Sequence, residues 1–417
     1  MTPEVPQSPK NYFLTWRYLL FWVSSLLSNI GSWMQQIAQP WLVLSLSGSS
    51  FWVGMTGFAT NIPGLLFTLP GGVLADRFDR KNVTLFFQGI QFLFVIAMVV
   101  LLITGLLKIW MIVVISFMVG LTDALCNPSL QTIVPALVAR KDIPRAVSLN
   151  STQYNLSRIL GPVIAGIVIA RFGSVACFSA NAVSYFPYFI AIWFIYPRKK
   201  AETRKKPAQA EPIDQFHQIS ELLRVRSVRL PLITVFAANF FCGPLITFCP
   251  VLIKNIFHSG VGDFGWAMTA FGGGALIGAG VSFISLPASF GRNRLVTATA
   301  IAQGFLLMAI AVNHSFLLLG VLLVFAGATQ IATNISINSF LQENAADNNR
   351  GKVASLYQLA MYSGVAIGAL LTGFIVSQFS IADAFLLNGG LAVVVQVWLL
   401  WRLLTEPLRK IVAGKEK

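Results

Sequence analysis

The sequence predicts an all-α polytopic membrane protein, with twelve transmembrane helices in two six-helix, pseudo-symmetric bundles. Three observations predict it. Hydrophobic residues make up 56% of the 417 positions and charged residues only 11%, against about a quarter charged in soluble domains. The apolar residues gather into twelve stretches, each near the ~20 residues that a helix needs to cross a bilayer. The basic residues fall in alternate connections between those stretches, as the positive-inside rule requires of a chain that crosses repeatedly.

The first six stretches lie near 17–46, 51–73, 82–105, 109–137, 146–170 and 174–196, and the second six near 231–255, 263–287, 295–312, 315–341, 353–379 and 381–403. This divides the chain into a first bundle over 1–196, a basic linker over 197–230 and a second bundle with a tail over 231–417. The first stretch is too long for a cleaved signal and runs straight into the bundle. Of the 30 Lys and Arg residues, 26 lie before the first stretch, in the linker, in the tail or in the connections on their side. Only Lys108, Arg171 and Lys254 lie on the opposite side. The net charge of +15 is therefore a topological signal and not a nucleic-acid footprint. Both termini and the linker are expected in the cytoplasm. In the linker, Ile213 to Val228 has the spacing of a surface amphipathic helix, with Phe216, Ile219, Leu222 and Leu223 on one side.

The halves echo each other. Phe78-Asp79-Arg80 matches Phe290-Gly291-Arg292 at an offset of 212, and Ser148-Leu149, Gly161 and Gly166 match Ser355-Leu356, Gly368 and Gly373 at an offset of 207. Parallel six-span repeats around a midplane site are one recognised transporter plan.

Two charged residues fall near the middle of a span, Asp123 in the fourth and Arg158 in the fifth. A lone charge at that depth costs at least about 2.5–3.5 kcal/mol, so each should face a wet cavity or a partner. Adjacent helices at matching depth predict an ion pair between them. Asp123 is the candidate proton site, since a carboxylate titrates when its burial and pairing change. Arg158 is permanently charged, and could tune that carboxylate or hold an anionic group. Polar side chains form stripes around them: Ser28, Ser32, Gln35 and Gln39 in the first span, Asn61 in the second, Tyr154 one turn before Arg158, Asn239 in the seventh, and Gln330, Asn334 and Asn338 in the tenth. Inward amides beside Trp33, Tyr357 and many Phe residues suit an amphipathic ligand, or equally hydrogen bonds between helices. Gly161 and Gly166 permit close helix approach, and Pro162 bends its helix and frees a carbonyl.

Other features argue against chemistry. The run Gly272-Gly273-Gly274 with Gly278 and Gly280 lacks the strand and turn of a nucleotide loop and reads as a packing surface. His217, His258 and His314 form no cluster, and Cys126, Cys177, Cys242 and Cys249 have no metal spacing. No enzyme, cofactor or metal is expected.

The segment Gly72-Val-Leu-Ala-Asp76-Arg77-Phe-Asp79-Arg80-Lys81 resembles the loop between spans two and three of the major facilitator superfamily of secondary transporters, with Gly72, Asp76, Arg77, Arg80 and Lys81 in register. With Asn127-Pro128-Ser129-Leu130-Gln131, Asn155-Leu156-Ser157-Arg158-Ile159-Leu160-Gly161-Pro162 and Arg350-Gly351-Lys352-Val353-Ala354-Ser355, the chain looks like the branch that holds the enterobactin exporter and macrolide-efflux proteins. The Gly161-Pro162 stretch resembles the fifth-span motif of antiporters. The resemblance implies a gate formed by Gly72, Asp76, Arg77, Arg80, Lys81, Gly161, Pro162 and Gly166, with Asp76 near Gly351 to Ser355 and Arg80 facing an acid. Ala136 stands where that acid is usual, which leaves Asp142. It implies a monomeric, proton-coupled exporter of small amphipathic molecules, siderophore or drug-like, with Asp123, Arg158, Gln35, Gln39, Asn61, Tyr154, Asn239, Gln330 and Asn334 at the site. An importer of a siderophore or nutrient, a lysophospholipid flippase, and a non-transporting membrane sensor or assembly factor are the alternatives.

Overall fold

The computed structural model describes residues 16–138, 142–195, 221–283, 292–345 and 349–405. Among them are thirteen α-helices and no strand. The first half holds α1 (Trp16–Ser47), α2 (Ser50–Arg77), α3 (Arg80–Ile103), α4 (Ile109–Leu137), α5 (Ile143–Phe172) and α6 (Ser174–Ile195). The second holds α7 (Arg226–Phe241), α8 (Pro244–Asn255), α9 (Val261–Phe283), α10 (Arg292–Ala311), α11 (Phe316–Asn344), α12 (Arg350–Gln378) and α13 (Ile381–Thr405). Nine segments have the length and apolarity to cross a membrane by composition, with α7 and α8 forming one of them. The polar-interrupted α1 and α2 and the shorter α10 complete twelve spans. Large apolar side chains such as Leu93, Phe186, Trp193 and Val394 are exposed, as a lipid-facing belt demands.

The seventh span departs from the single helix expected over 231–255. It begins earlier, at Arg226, and breaks between Phe241 and Pro244. The cause is local. Pro244 has no N–H to continue the ladder, so it starts a new helix in the first-turn position where proline is tolerated. The last regular bonds of α7 run from the N–H groups of Cys242 and Gly243 to the carbonyls of Ala238 and Asn239. The suggested amphipathic helix lies mostly outside the described residues.

The turns are short and chemically specified. Gly48 at φ +63° and Gly173 at φ +77° end α1 and α5, and in each the glycine N–H closes on the carbonyl four residues back. Between α2 and α3 only Phe78 and Asp79 leave the helix. The Asp79 carboxylate accepts from the N–H groups of Lys81 at 2.8 Å and Asn82 at 3.1 Å, an N-cap for α3. Asp79 thus has a structural task at the start of α3.

Lipid gives apolar helices no drive to associate, so close packing of small residues carries the fold. A Cβ on Gly120 of α4 would strike the Thr60 carbonyl of α2, and one on Gly71 would meet the Ala124 carbonyl at 2.7 Å. Gly274 and Gly278 of α9 meet the carbonyls of Val324 and Ala328 of α11, while Gly272 meets Val163 of α5, so the glycine run serves two neighbours. Between halves, α2 runs along α12 and α5 along α9. Trp41 of α1 stacks on Phe264 of α9 at 5.2 Å and 18°.

The core is not evenly shared along the spans. At the end distant from the linker, one apolar cluster joins both halves, including Met34, Val53 and Ile169 with Phe248, Phe264 and Val376. A small cluster at mid-depth joins Ile159 to Ala275, Ala279 and Ile331, and among the described residues nearer the linker the two larger cores are separate. One surrounds Tyr18, Ile133 and Tyr188, and the other Leu232, Ile337 and Leu356. Among the described residues, the main apolar cluster shared by the two bundles therefore lies at the far end.

Candidate functional site

Asp123 and Arg158 lie midway along α4 and α5, as expected from their positions. The helix contacts at Gly120 and Gly71 bracket Asp123 on the α2 side and fix its depth. Asp123 is half-buried. It accepts a hydrogen bond from Asn127 Nδ2 at 3.4 Å, one helical turn on.

The ion pair expected between Asp123 and Arg158 does not form. Arg158 points instead across the boundary between halves. Its Nη1 reaches Met361 Sδ of α12 at 3.8 Å, and its guanidinium lies 5.9 Å from the centre of the Trp33 ring, within cation–π range. Depth alone did not specify azimuth. Gly161 decides it in part, because a Cβ there would overlap Trp33; without one, α1 lies tight on α5 and brings the indole to Arg158.

Tyrosines complete the centre. Tyr154 Oη and Tyr362 Oη stand 3.4 Å apart across the halves. Tyr154 is 37% exposed. Tyr357 donates to the Asn334 carbonyl at 3.1 Å, and its oxygen is turned to Arg158. Met361, Tyr362 and Asn127 were missed in the sequence. Their signal was spacing: Asn127 follows Asp123 by four, and Met361 follows Tyr357 by four.

The predicted amides divide. Gln35 Oε1 accepts from Asn181 Nδ2 at 2.7 Å, and Gln39 Nε2 donates to Ser116 Oγ at 2.9 Å. Both tie α1 to its neighbours and are committed to packing here. Asn61 Nδ2 turns back onto the Gly57 carbonyl at 2.9 Å. Asn239 Nδ2 donates to Asn334 Oδ1 at 3.2 Å, and the buried Asn334 Nδ2 has no acceptor. Gln330 and Asn338 are half-buried on the same helix. Both midplane charges therefore sit in the first half, whereas Asn239, Gln330, Asn334 and Asn338 of the second half are neutral amides.

Of the gate residues, Gly166 packs on Gly265 of α9, and Pro162 lies 3.4 Å from where a Cβ of Gly272 would stand. Lys81 Nζ donates to the Trp193 carbonyl at 3.2 Å and lies 5.7 Å from that indole's centre. It binds the start of α3 to the end of α6. Gly72 has open space where a Cβ would be. The side chains of Asp76, Arg77, Arg80 and Ala136 lie outside the described residues. The four cysteines are buried and free, and no group of metal-binding side chains occurs among the described residues.

Twelve spans in two six-helix bundles, sharing an apolar cluster at one end and charged at the midplane, define a membrane transporter of the major facilitator superfamily and not an enzyme. The chain belongs to the transmembrane secretion effector family, whose model matches residues 12–411. It is 26% identical over 378 residues to the staphyloferrin A transporter of Staphylococcus aureus, covering 88% of this chain and 92% of that one. It is 24% identical over 379 residues to the multidrug efflux pump Tap of Mycobacterium tuberculosis, covering 87% and 88%. It is 21% identical over 392 residues to macrolide efflux protein A of Streptococcus pyogenes, covering 91% and 94%. Among solved structures it resembles the nucleoside transporter NupG, with a TM-score of 0.72 at 13% identity over 92% of this chain and 98% of that one. It also resembles a D-xylose–proton symporter, with a TM-score of 0.70 at 13% identity over 92% and 96%.

Proposed function

We propose that the protein is a monomeric, proton-coupled exporter of small amphipathic molecules, siderophore-like or drug-like, working by alternating access in the bacterial inner membrane. The observation that carries this reading is Asp123: a half-buried carboxylate at mid-depth, free of the arginine that would neutralise it. In an antiporter, proton and cargo are alternatives at one group. A cargo that donates N–H or O–H to the Asp123 carboxylate leaves no place for the proton, and protonation withdraws the acceptor the cargo needs. The efflux named for two relatives supports the outward direction. Charge asymmetry puts the linker and both termini in the cytoplasm, so the linker end is the inner mouth and the end with the shared cluster the outer gate. The test is substrate-dependent proton flux in proteoliposomes, screened across siderophores and drugs with an imposed pH gradient. Transport indifferent to that gradient for every transported cargo sinks the coupling.

A further inference from the structure

We infer that Arg158 is the seat of an anionic group, carboxylate or phosphate, on an amphipathic cargo. The inference rests on the midplane space being the translocation site and adds the chemical class of what fills it. Among the described residues no carboxylate pairs with Arg158. Its neighbours are Met361 Sδ, the Trp33 ring and the Tyr357 oxygen, all uncharged. A thioether is a weak acceptor, and an indole face contributes far less than an ion pair. A permanently charged guanidinium at this depth is thus left with its planar fork of donors largely unused, and that fork matches carboxylate or phosphate geometry.

The surroundings fit a molecule with a second, apolar part. Trp33 and Met361 flank the guanidinium, and Tyr154 and Tyr362 supply hydroxyls at the same level. The seat draws on α1, α5 and α12, and so on both halves. An anion bound there touches both sides of the moving boundary, which a cargo must do to bias alternating access. Asp123 lies within the electrostatic reach of the same two tyrosines but is not bonded to Arg158. The anionic end and the hydrogen-bond-donating part of one cargo therefore have separate places.

The experiment measures equilibrium binding without a gradient, so it succeeds or fails independently of proton coupling and direction. Purified full-length protein in phosphatidylcholine nanodiscs is titrated with dansylglycine, its methyl ester and dansylcadaverine. Dansyl fluorescence is read against empty nanodiscs. Saturable binding of the acid at least tenfold tighter than that of the ester or the amine is expected. Arg158→Gln should abolish the preference, with wild-type helical circular dichroism and monodisperse elution showing that the variant is folded. Arg158→Lys should keep part of it. Displacement of the acid by dihexanoylphosphatidylglycerol, but not by dihexanoylphosphatidylcholine, assigns the seat to a lipid headgroup. Failure of both to displace it assigns the seat to a free anion. Equal affinity for acid and ester in the wild type, no saturable acid binding, or an unchanged preference in Arg158→Gln overturns the proposal.

Discussion

Gly166 of α5 and Gly265 of α9 meet backbone to backbone across the boundary between the halves, each occupying the space a Cβ on the other would need. Gly54 of α2 and Gly373 of α12 do the same on the other side of the molecule. The two contacts are images of one another in the internal repeat. Gly166 corresponds to Gly373 at the offset of 207, and Gly54 stands 211 residues before Gly265, one short of the offset of the basic loops. These paired seams hold the far end closed.

Gly166→Leu or Gly265→Leu should insert normally, because each half keeps its own packing. Neither should close the far end. Transport should fall at least tenfold, and cysteines placed along that seam should become accessible from that face. Wild-type transport in either variant would falsify a closing role for the seam.

Asp123→Asn keeps the shape of the side chain and its contact with Asn127 but removes the exchangeable proton. Uphill, pH-driven transport should be lost while downhill exchange persists. Arg158→Ala should impair both, because it removes a charged wall of the same space. If the Asn variant still concentrates cargo with unchanged pH dependence, the proton site lies elsewhere or the coupling ion is not a proton.

Asp76→Asn tests the gate assigned by resemblance. The start of α12 at Arg350 presents N–H groups with no partner inside the helix, a setting that favours a carboxylate. Insertion should be normal and transport reduced by roughly tenfold, the effect of about 1.4 kcal/mol on the balance of two states. Unaltered activity would leave the segment with a topological role only.

The four native cysteines are buried, so labelling by an impermeant thiol reagent has little background. A cysteine at Ser259 or Lys108 should react from outside intact cells, and one at Gln209 only after permeabilisation. Labelling of Gln209 in intact cells reverses the orientation and with it the assignment of the inner mouth.

Spans and depths were legible in the sequence because both follow from one-dimensional quantities, apolar length and distance to the nearest helix end. The azimuth of a side chain is not such a quantity. Asp123 and Arg158 share a depth yet turn to different neighbours, and Gln35 and Gln39 share a stripe with Ser28 and Ser32 yet close on Asn181 and Ser116. The break in the seventh span was readable and passed over. Gly243-Pro244 inside an apolar run is a helix-stopping pair, masked by the hydrophobic residues on both sides. Asp79 before Arg80 likewise announces a cap, which attention to the loop's charge obscured.

The shared core at the far end also bears on how the protein is made. Met34, Val53 and Ile169 share one buried cluster with Phe248, Phe264 and Val376, which emerge from the ribosome about 80 residues later or more. At about 5–20 residues per second, the first bundle waits several seconds or more in the membrane with one wall missing. During that wait, lipid tails must line the surface that the second bundle will claim. Assembly of the pair is then a displacement of lipid by helix, and any factor that guards nascent membrane proteins would meet this chain with that wall exposed.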